Sequence, residues 1–352
     1  MAFVLKTLPD LQTARFDTII DARAPAEFAE DHLPGAINLP VLDDDERARV
    51  GTIYKQHSPF MARKLGAALV AQNAARHLLG PLADKPGDWQ PLVYCWRGGQ
   101  RSGSFATILR QIGWRVEVLE GGYKSYRRQV QALLYDGVFP APVLLVDGGT
   151  GSAKTEILGH VAALGGQVVD LEALAGHRGS LFGGLAPQPS QKLFETQLAQ
   201  AICALDPARP VLIEAESNRI GNIRLPPALW HAMQAAPRVR VDAPVEARAA
   251  YSMRVYSDFT KHPDRLATVI EGLRPYQPAA QIEAWHGLVT TGDFATLAES
   301  LIAAHYDPSY QRMRKGQRPV LSLDLPDLSE KSQKIAAKQL FQQLKYLESA
   351  NT

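Results

Sequence analysis

Short apolar runs recur along the chain and alternate with stretches of helical spacing. In the first third, Thr18-Ile19-Ile20-Asp21, Pro91-Leu92-Val93-Tyr94 and the alternating Trp114-Arg115-Val116-Glu117-Val118-Leu119 read as strands. A helix carrying Glu27 and Phe28 follows the first. Pro34-Gly35 then marks a turn before another short apolar run, Ala36-Ile37-Asn38. Phe105, Ile108, Leu109 and Ile112 fall on one helical face. A second series begins at Val143-Leu144-Leu145-Val146 and continues through Val168-Val169-Asp170, Val211-Leu212-Ile213-Glu214 and Val239-Arg240-Val241-Asp242. Each of these runs leads into a carboxylate, and open parallel sheets present their chemistry at that end of the strand. Strands alternating with helices predict an α/β fold with parallel sheets covered on both faces. Beyond about residue 245 the spacing predicts mostly helix, ending in an amphipathic stretch around Ile335, Leu340, Phe341 and Leu344. The turn-rich Asp136-Gly137-Val138-Phe139-Pro140-Ala141-Pro142 divides the chain into a domain over 1–128, a linker over 129–142 and a domain over 143–352 with a helical C-terminal extension.

Length agrees with two domains: 352 residues are enough for each to bury its own core. Lysine and arginine exceed aspartate and glutamate by two, so overall charge neither requires nor excludes nucleic acid. No apolar stretch approaches the roughly 20 residues of a spanning helix, and Met1-Ala2-Phe3-Val4-Leu5-Lys6 lacks a secretory pattern, so no membrane partner is expected. Only Cys95 and Cys203 occur, which rules out a disulfide framework and predicts a reducing, cytoplasmic location. Cys203, among Leu198, Ala201, Ile202 and Leu205, is expected in the core.

Cys95 is different. It closes an apolar strand and opens Cys95-Trp96-Arg97-Gly98-Gly99-Gln100-Arg101-Ser102, a strand-to-helix turn with two glycines and two arginines. Backbone amides in a tight glycine-rich turn form an anion nest, and nearby guanidinium groups favour a thiolate. A buried structural cysteine needs neither Gly98-Gly99 nor Arg97 and Arg101. The loop therefore predicts a nucleophilic Cys95, with residues 97–102 around the sulfur or an oxyanion donor.

A second constellation follows the Val143 strand. Gly148-Gly149-Thr150-Gly151-Ser152-Ala153-Lys154-Thr155 is G-x-x-x-x-A-K-T, a Walker A phosphate loop in which Ala153 replaces the usual last glycine. Glycines let amides wrap phosphate oxygens, Lys154 supplies a point charge, and Thr155 offers a hydroxyl to Mg²⁺. The helix expected after it carries Ile157, Leu158, Val161 and Leu164. Asp170, Glu214 and Glu216 are candidates either to hold Mg²⁺ or to cap a helix. Glu172, His177 and Arg178 complete a polar strand exit that runs on through Gly179-Ser180. Mg²⁺ is the one cofactor expected, with no tightly bound organic group.

Together these parts resemble the tRNA 2-selenouridine synthase family, fusions of a rhodanese-like parallel-sheet domain with a P-loop NTPase-like parallel-sheet domain. The resemblance covers nearly the full chain. Its carriers are Asp21-Ala22-Arg23, residues 94–102, Glu120-Gly121-Gly122-Tyr123-Lys124, residues 148–155, Asp170-Leu171-Glu172 with His177-Arg178-Gly179-Ser180, and His305-Tyr306-Asp307-Pro308. It implies a transferase that converts the wobble 2-thiouridine in the anticodon loop of tRNA to 2-selenouridine. Geranyl diphosphate and selenophosphate are the implied co-substrates, with S-geranyl-2-thiouridine as intermediate and a selenium-charged Cys95 presenting the incoming atom. The phosphate loop would then hold the diphosphate of geranyl diphosphate, or alternatively a nucleotide. For tRNA, Tyr123-Lys124-Ser125-Tyr126-Arg127-Arg128 interleaves aromatic and basic residues, a pattern suited to base stacking and phosphate neutralisation by Lys124, Arg127 and Arg128. A plain sulfurtransferase with a regulatory nucleotide-binding domain is the alternative. The C-x₅-R spacing of phosphatase loops lacks its usual histidine, because Tyr94 stands there.

Overall fold

Every strand pair of the first sheet is parallel, which explains why its central strands read as unbroken apolar runs. The computed structural model describes residues 2–178, 183, 187–257, 261–313 and 318–350. Strands β1 (Ala2–Phe3), β2 (Thr18–Asp21), β3 (Ala36–Asn38), β4 (Pro91–Tyr94) and β5 (Glu117–Leu119) lie in the order β1-β5-β4-β2-β3. All four residues of β4 are buried, with Val93 packed among Ile20, Phe105 and Leu109. Helices Asp44–Gln56, Pro59–Leu79 and Gln100–Gln111 accompany this sheet, and helix Gly122–Gln131 follows β5.

The second sheet contains β6 (Val143–Gly148), β7 (Gln167–Val169), β8 (Val211–Glu214), β11 (Arg238–Asp242) and β12 (Leu321–Asp324), with a small hairpin of β9 (Arg219–Ile220) and β10 (Ile223–Arg224) apart from it. Its order is β12-β11-β6-β8-β7, again all parallel, and β6 at its centre is buried throughout. Helices Lys154–Ala163 and Glu330–Ala350 cover one face, where Ile157 and Val161 meet Leu340 and Leu344. Helices Pro263–Glu271, Ala279–Thr291 and Phe294–Leu301 build a separate apolar cluster around Trp285 and Ile270. The expectation of a mostly helical C-terminal third holds except for β12, whose Leu321-Ser322-Leu323-Asp324 pairs along β11 as an edge strand.

The chain divides into two units, Met1–Val138 with Pro189–Ala204, and Phe139–Gln188 with Leu205–Thr352. Helix Gln191–Cys203 thus groups with the first unit although it lies well after residue 143 in sequence. Ser190 caps it by accepting from the Leu193 amide at 3.0 Å. Phe194, Leu198 and Ile202, four residues apart, bury one face, each worth about 1.5–3 kcal/mol relative to exposure. Cys203 ends this helix half-buried rather than sealed in the core.

Candidate functional site

In the first unit, β4 delivers Cys95 to the carboxyl end of the sheet, and the chain turns through Gly98, at φ +65°, into helix Gln100–Gln111. The sulfur is 3% exposed and accepts a hydrogen bond from Ser102 Oγ at 3.1 Å. Gly99 stands at the helix N-cap without a side-chain cap, so the first amides, which no helical turn can satisfy, are left for an anion. The loop is held from behind. The amides of Tyr123 and Lys124 donate to the carbonyls of Cys95 and Trp96 at 2.8 and 3.0 Å. Gly122 permits that approach: a Cβ there would lie 2.3 Å from the Cys95 oxygen and 2.4 Å from the Gly98 nitrogen.

The two arginines differ. Arg97 is exposed and makes no ion pair among the described residues. Arg101 is half-buried and engaged by Glu27 at 2.7 Å, which also meets Arg47 at 3.0 Å. Burial works to raise the Glu27 pKa, but Arg101 and Arg47 outweigh it and hold the carboxyl below its usual value. Glu27 was legible only as a helix residue; its partnership with Arg101 spans 74 positions. Gln100 is exposed and Ser102 buried.

Asp21-Ala22-Arg23 is a buried clamp. The Arg23 guanidinium forks onto Asp21, donates to the Asp31 carbonyl at 2.6 Å, and lies 4.0 Å from the Tyr123 ring centroid. Tyr123 and Tyr126 are each 2% exposed, so the expected stacking of a nucleobase on these rings is corrected: both point into the core. Arg127 is drawn inward as well, paired with buried Glu195, which also accepts from Tyr135 at 2.6 Å and Gln191 at 2.9 Å. Lys124 and Arg128 remain exposed.

In the second unit, β6 runs into the phosphate loop, and helix Lys154–Ala163 begins at Ala153. Ala153 is left-handed at φ +56°, alone among the described non-glycine residues, yet its side chain is buried in the sheet–helix core. Burial of that methyl offsets part of the cost of about 1–2 kcal/mol for a left-handed L-residue. The loop is packed from outside by Arg248, which sequence reading missed. Its Nε donates to the Thr150 carbonyl at 2.9 Å and its fork holds Asp307 at 2.7 and 3.0 Å. A Cβ on Gly149 would lie 2.3 Å from that guanidinium, and one on Gly151 would lie 2.7 Å from the Arg248 carbonyl. Gly148 is equally confined, since its Cβ would meet Ser152 Oγ at 2.5 Å.

Lys154 Nζ donates to the Gly148 carbonyl at 3.2 Å. Burial opposes its charge, but Tyr310, Glu214, Glu216 and Glu172 outweigh it and raise the pKa. Thr155 Oγ donates to Glu214 at 2.7 Å, and one oxygen from each of Glu172, Glu214 and Glu216 lies within 4.8 Å of the others. Burial first, and repulsion by Glu214 and Glu216 second, push Glu172 up to about 9, while burial raises Glu214 against the opposing pull of Lys154 and Thr155. Glu216 rises to about 7, again chiefly through burial. Glu214 is fully buried and its Oε2 has no hydrogen-bond partner. A hard divalent cation satisfies such an oxygen set, so the residues fit Mg²⁺. Asp170, in contrast, caps helix Leu171–Ala175 by accepting from the Ala173 amide at 2.8 Å. His177 and Arg178 line the same cavity of about 380 Å³ as Lys154 and the glutamates, with Arg178 5.1 Å from the Tyr256 ring centroid. Burial lowers the His177 pKa. Gly179 and Ser180 lie outside the described residues.

Fold and sites define a two-part α/β protein that joins a domain with a buried thiol loop to a P-loop-like domain. Residues 5–129 match the rhodanese-like domain and residues 141–277 the AAA domain of tRNA 2-selenouridine synthase. A tRNA 2-selenouridine synthase of Shewanella halifaxensis is 33% identical over 326 residues, covering 83% of this chain and 87% of that protein. One from Hahella chejuensis is 34% identical over 85% of this chain and 86% of its own. One from Nitrosomonas europaea is 39% identical over 65% of this chain, which spans 61% of that relative. The chain belongs to the tRNA 2-selenouridine synthase family. Among solved structures, the N-terminal domain of a putative ATP/GTP binding protein from Clostridium difficile 630 aligns with TM-score 0.32 and 34% identity over 37% of this chain and 98% of that one. No helix among the described residues is long and apolar enough to cross a membrane.

Proposed function

We propose that the protein is a tRNA-modifying transferase that converts wobble 2-thiouridine to 2-selenouridine in two steps, one at each loop. What supports this is the union, in a member of this family, of a thiol under an uncapped helix start with a phosphate loop whose Thr155 meets a buried carboxylate cluster. In the first step the thiouridine sulfur attacks C1 of geranyl diphosphate. The C–S bond forms, the C–O bond breaks, inorganic diphosphate leaves and the N3 proton passes to solvent. Lys154, Thr155 and the loop amides hold the diphosphate and withdraw its developing charge. Thr155 and Glu214, with Glu172 and Glu216, would hold Mg²⁺, which would supply further neutralisation of that leaving group.

In the second step selenophosphate replaces sulfur by selenium. Its selenium is already at the selenide level, so a sulfur–selenium bond at Cys95 would require an oxidant that the reaction does not contain. Cys95 therefore takes the phosphoryl group: the S–P bond forms, the Se–P bond breaks, and hydrogen selenide is released beside the uridine. Selenium adds at C2, its proton ends on N3, and the C2–S bond breaks to release the geranyl thiolate. Water then frees phosphate and restores the Cys95 thiol. Arg97 and the first amides of helix Gln100–Gln111 bind the phosphoryl oxygens. Exposed Lys124 and Arg128 contact the tRNA backbone.

Mass spectrometry of nucleosides tests the whole reading, from tRNA incubated with enzyme, geranyl diphosphate and selenophosphate. Wild-type enzyme gives 2-selenouridine, and Cys95→Ala stops at S-geranyl-2-thiouridine. Lys154→Ala gives neither product. Intact geranylation in Lys154→Ala would sink the diphosphate cradle. Loss of both products in a folded Cys95→Ala would overturn the division of labour, and neither product from wild-type enzyme would favour the sulfurtransferase.

A further inference from the structure

Beside the phosphate-loop cavity lies a second one of very different chemistry. Thr150, Tyr256 and Tyr306 belong to the walls of both, so the two adjoin. The second cavity, of about 80 Å³, is walled by Leu266, Phe294, Leu297, Ala298 and Leu301, and the whole surface it presents is apolar. Leu266, Leu297 and Leu301 belong to the helical cluster around Trp285, which backs the slot rigidly.

A phosphate loop that shares Thr150 with such a slot discriminates between ligands. A nucleotide would carry the hydrogen-bonding groups of ribose and base towards a surface that is apolar although Thr150, Ser252, Tyr256 and Tyr306 stand among its walls, and would find few partners there. A hydrocarbon chain loses nothing there. We propose that this slot lodges the distal end of the hydrocarbon chain of the allylic diphosphate, and that its depth sets the chain length accepted. The proposal rests on the diphosphate reading of the loop given above. In size the slot is about half of a cavity of ~150 Å³ that holds benzene, so it takes the tip of a chain and not the whole of it. The unit nearer the diphosphate then lies where the two cavities adjoin, beside Tyr256 and Tyr306. A third unit has no room unless the leucines of the helical cluster move.

Ala298 is half-buried and outside that packed cluster, so a larger residue there projects into the slot with least damage to the core. Calorimetry with wild-type enzyme, Mg²⁺ and inorganic diphosphate, dimethylallyl, geranyl or farnesyl diphosphate reads the chain contribution directly. Geranyl diphosphate should bind at least about tenfold more tightly than inorganic diphosphate and more tightly than farnesyl diphosphate. Ala298→Leu should weaken geranyl diphosphate about tenfold and leave inorganic diphosphate within about twofold. Met253→Ala, which deepens the slot from another wall, should raise the relative affinity for farnesyl diphosphate. Equal wild-type affinity for inorganic and geranyl diphosphate would remove the slot and spare the cradle. No binding of either would remove both. A parallel loss of all ligands in Ala298→Leu, with no change of chain preference in Met253→Ala, would also overturn the proposal.

Discussion

Replacing Gly122 by alanine tests how tightly the thiol loop is braced from behind. The residue sits at φ +58°, and an added Cβ would fall 2.3 Å from the Cys95 oxygen, 2.4 Å from the Gly98 nitrogen and 2.9 Å from the Arg97 carbonyl carbon. All three neighbours are backbone, so none can swing aside. The left-handed conformation alone costs an L-residue about 1–2 kcal/mol. Forcing a methyl into packed surroundings adds about 1–3 kcal/mol. The expected loss of about 2–5 kcal/mol is a large part of a typical domain stability of about 5–15 kcal/mol. It should be partly relieved by displacement of the Cys95 loop, breaking the bonds from the Tyr123 and Lys124 amides. The control is Gly121→Ala, also left-handed at φ +71°, where the new Cβ meets only the Ser125 side chain and Cα, the nearest at 3.0 Å. Urea unfolding and the two nucleoside products are the readouts. Gly122→Ala should unfold at lower denaturant than Gly121→Ala and lose selenation of pre-geranylated tRNA while geranylation persists. Equal midpoints for the two variants, or full selenation by Gly122→Ala, would refute the wedge argument.

Three further outcomes follow from the same geometry. Arg248→Ala frees the Thr150 carbonyl and strands Asp307, and should weaken inorganic diphosphate binding about 10- to 100-fold, with Asp307→Asn milder; unchanged affinity by calorimetry would show that the loop needs no brace. Glu214→Gln should weaken Mg²⁺ about tenfold yet raise melting temperature in EDTA, because it removes the buried member of three crowded carboxyls whose ionisation burial opposes; a lower melting temperature in EDTA would contradict this. Glu27 has a folded pKa below its usual 4.5, so its stabilising contribution is full above that value and disappears as pH falls through the folded value. The stability gap between wild type and Glu27→Gln should accordingly be open near about pH 7 and close in acid, and a gap that widens in acid would count against the Arg101–Glu27 restraint.

Most of the sheet framework was legible because parallel strands bury both faces and leave continuous apolar runs, as β4, β6 and β8 do. The two loops were legible because glycines and their flanking charges are contiguous in sequence. What stayed hidden was non-local. Arg248 reaches Thr150 across 98 positions and Asp307 across 59, and nothing in the local spacing of a helical arginine announces either partner. Tyr123 and Tyr126 look like a stacking platform beside Lys124 and Arg128, yet a helix places residues three apart on one face, and here that face is buried. β12 escaped notice because four residues at a sheet edge give too short an alternation to stand out from a helical neighbourhood.

Helix Gln191–Cys203 has a consequence for how this gene can be taken apart. The polypeptide leaves the second unit after Gln188, contributes a helix to the first, and returns at Leu205, so neither unit is one uninterrupted stretch of code. A fragment ending at Val138 would keep Asp31, Tyr126 and Arg127 but lose Glu195, which pairs with Arg127, and Thr196, which neighbours Asp31 and Tyr126. A reading frame cut at the obvious linker therefore yields two incomplete products, and exchanging either half with a relative must carry residues 189–204 along with the thiol loop rather than with the phosphate loop.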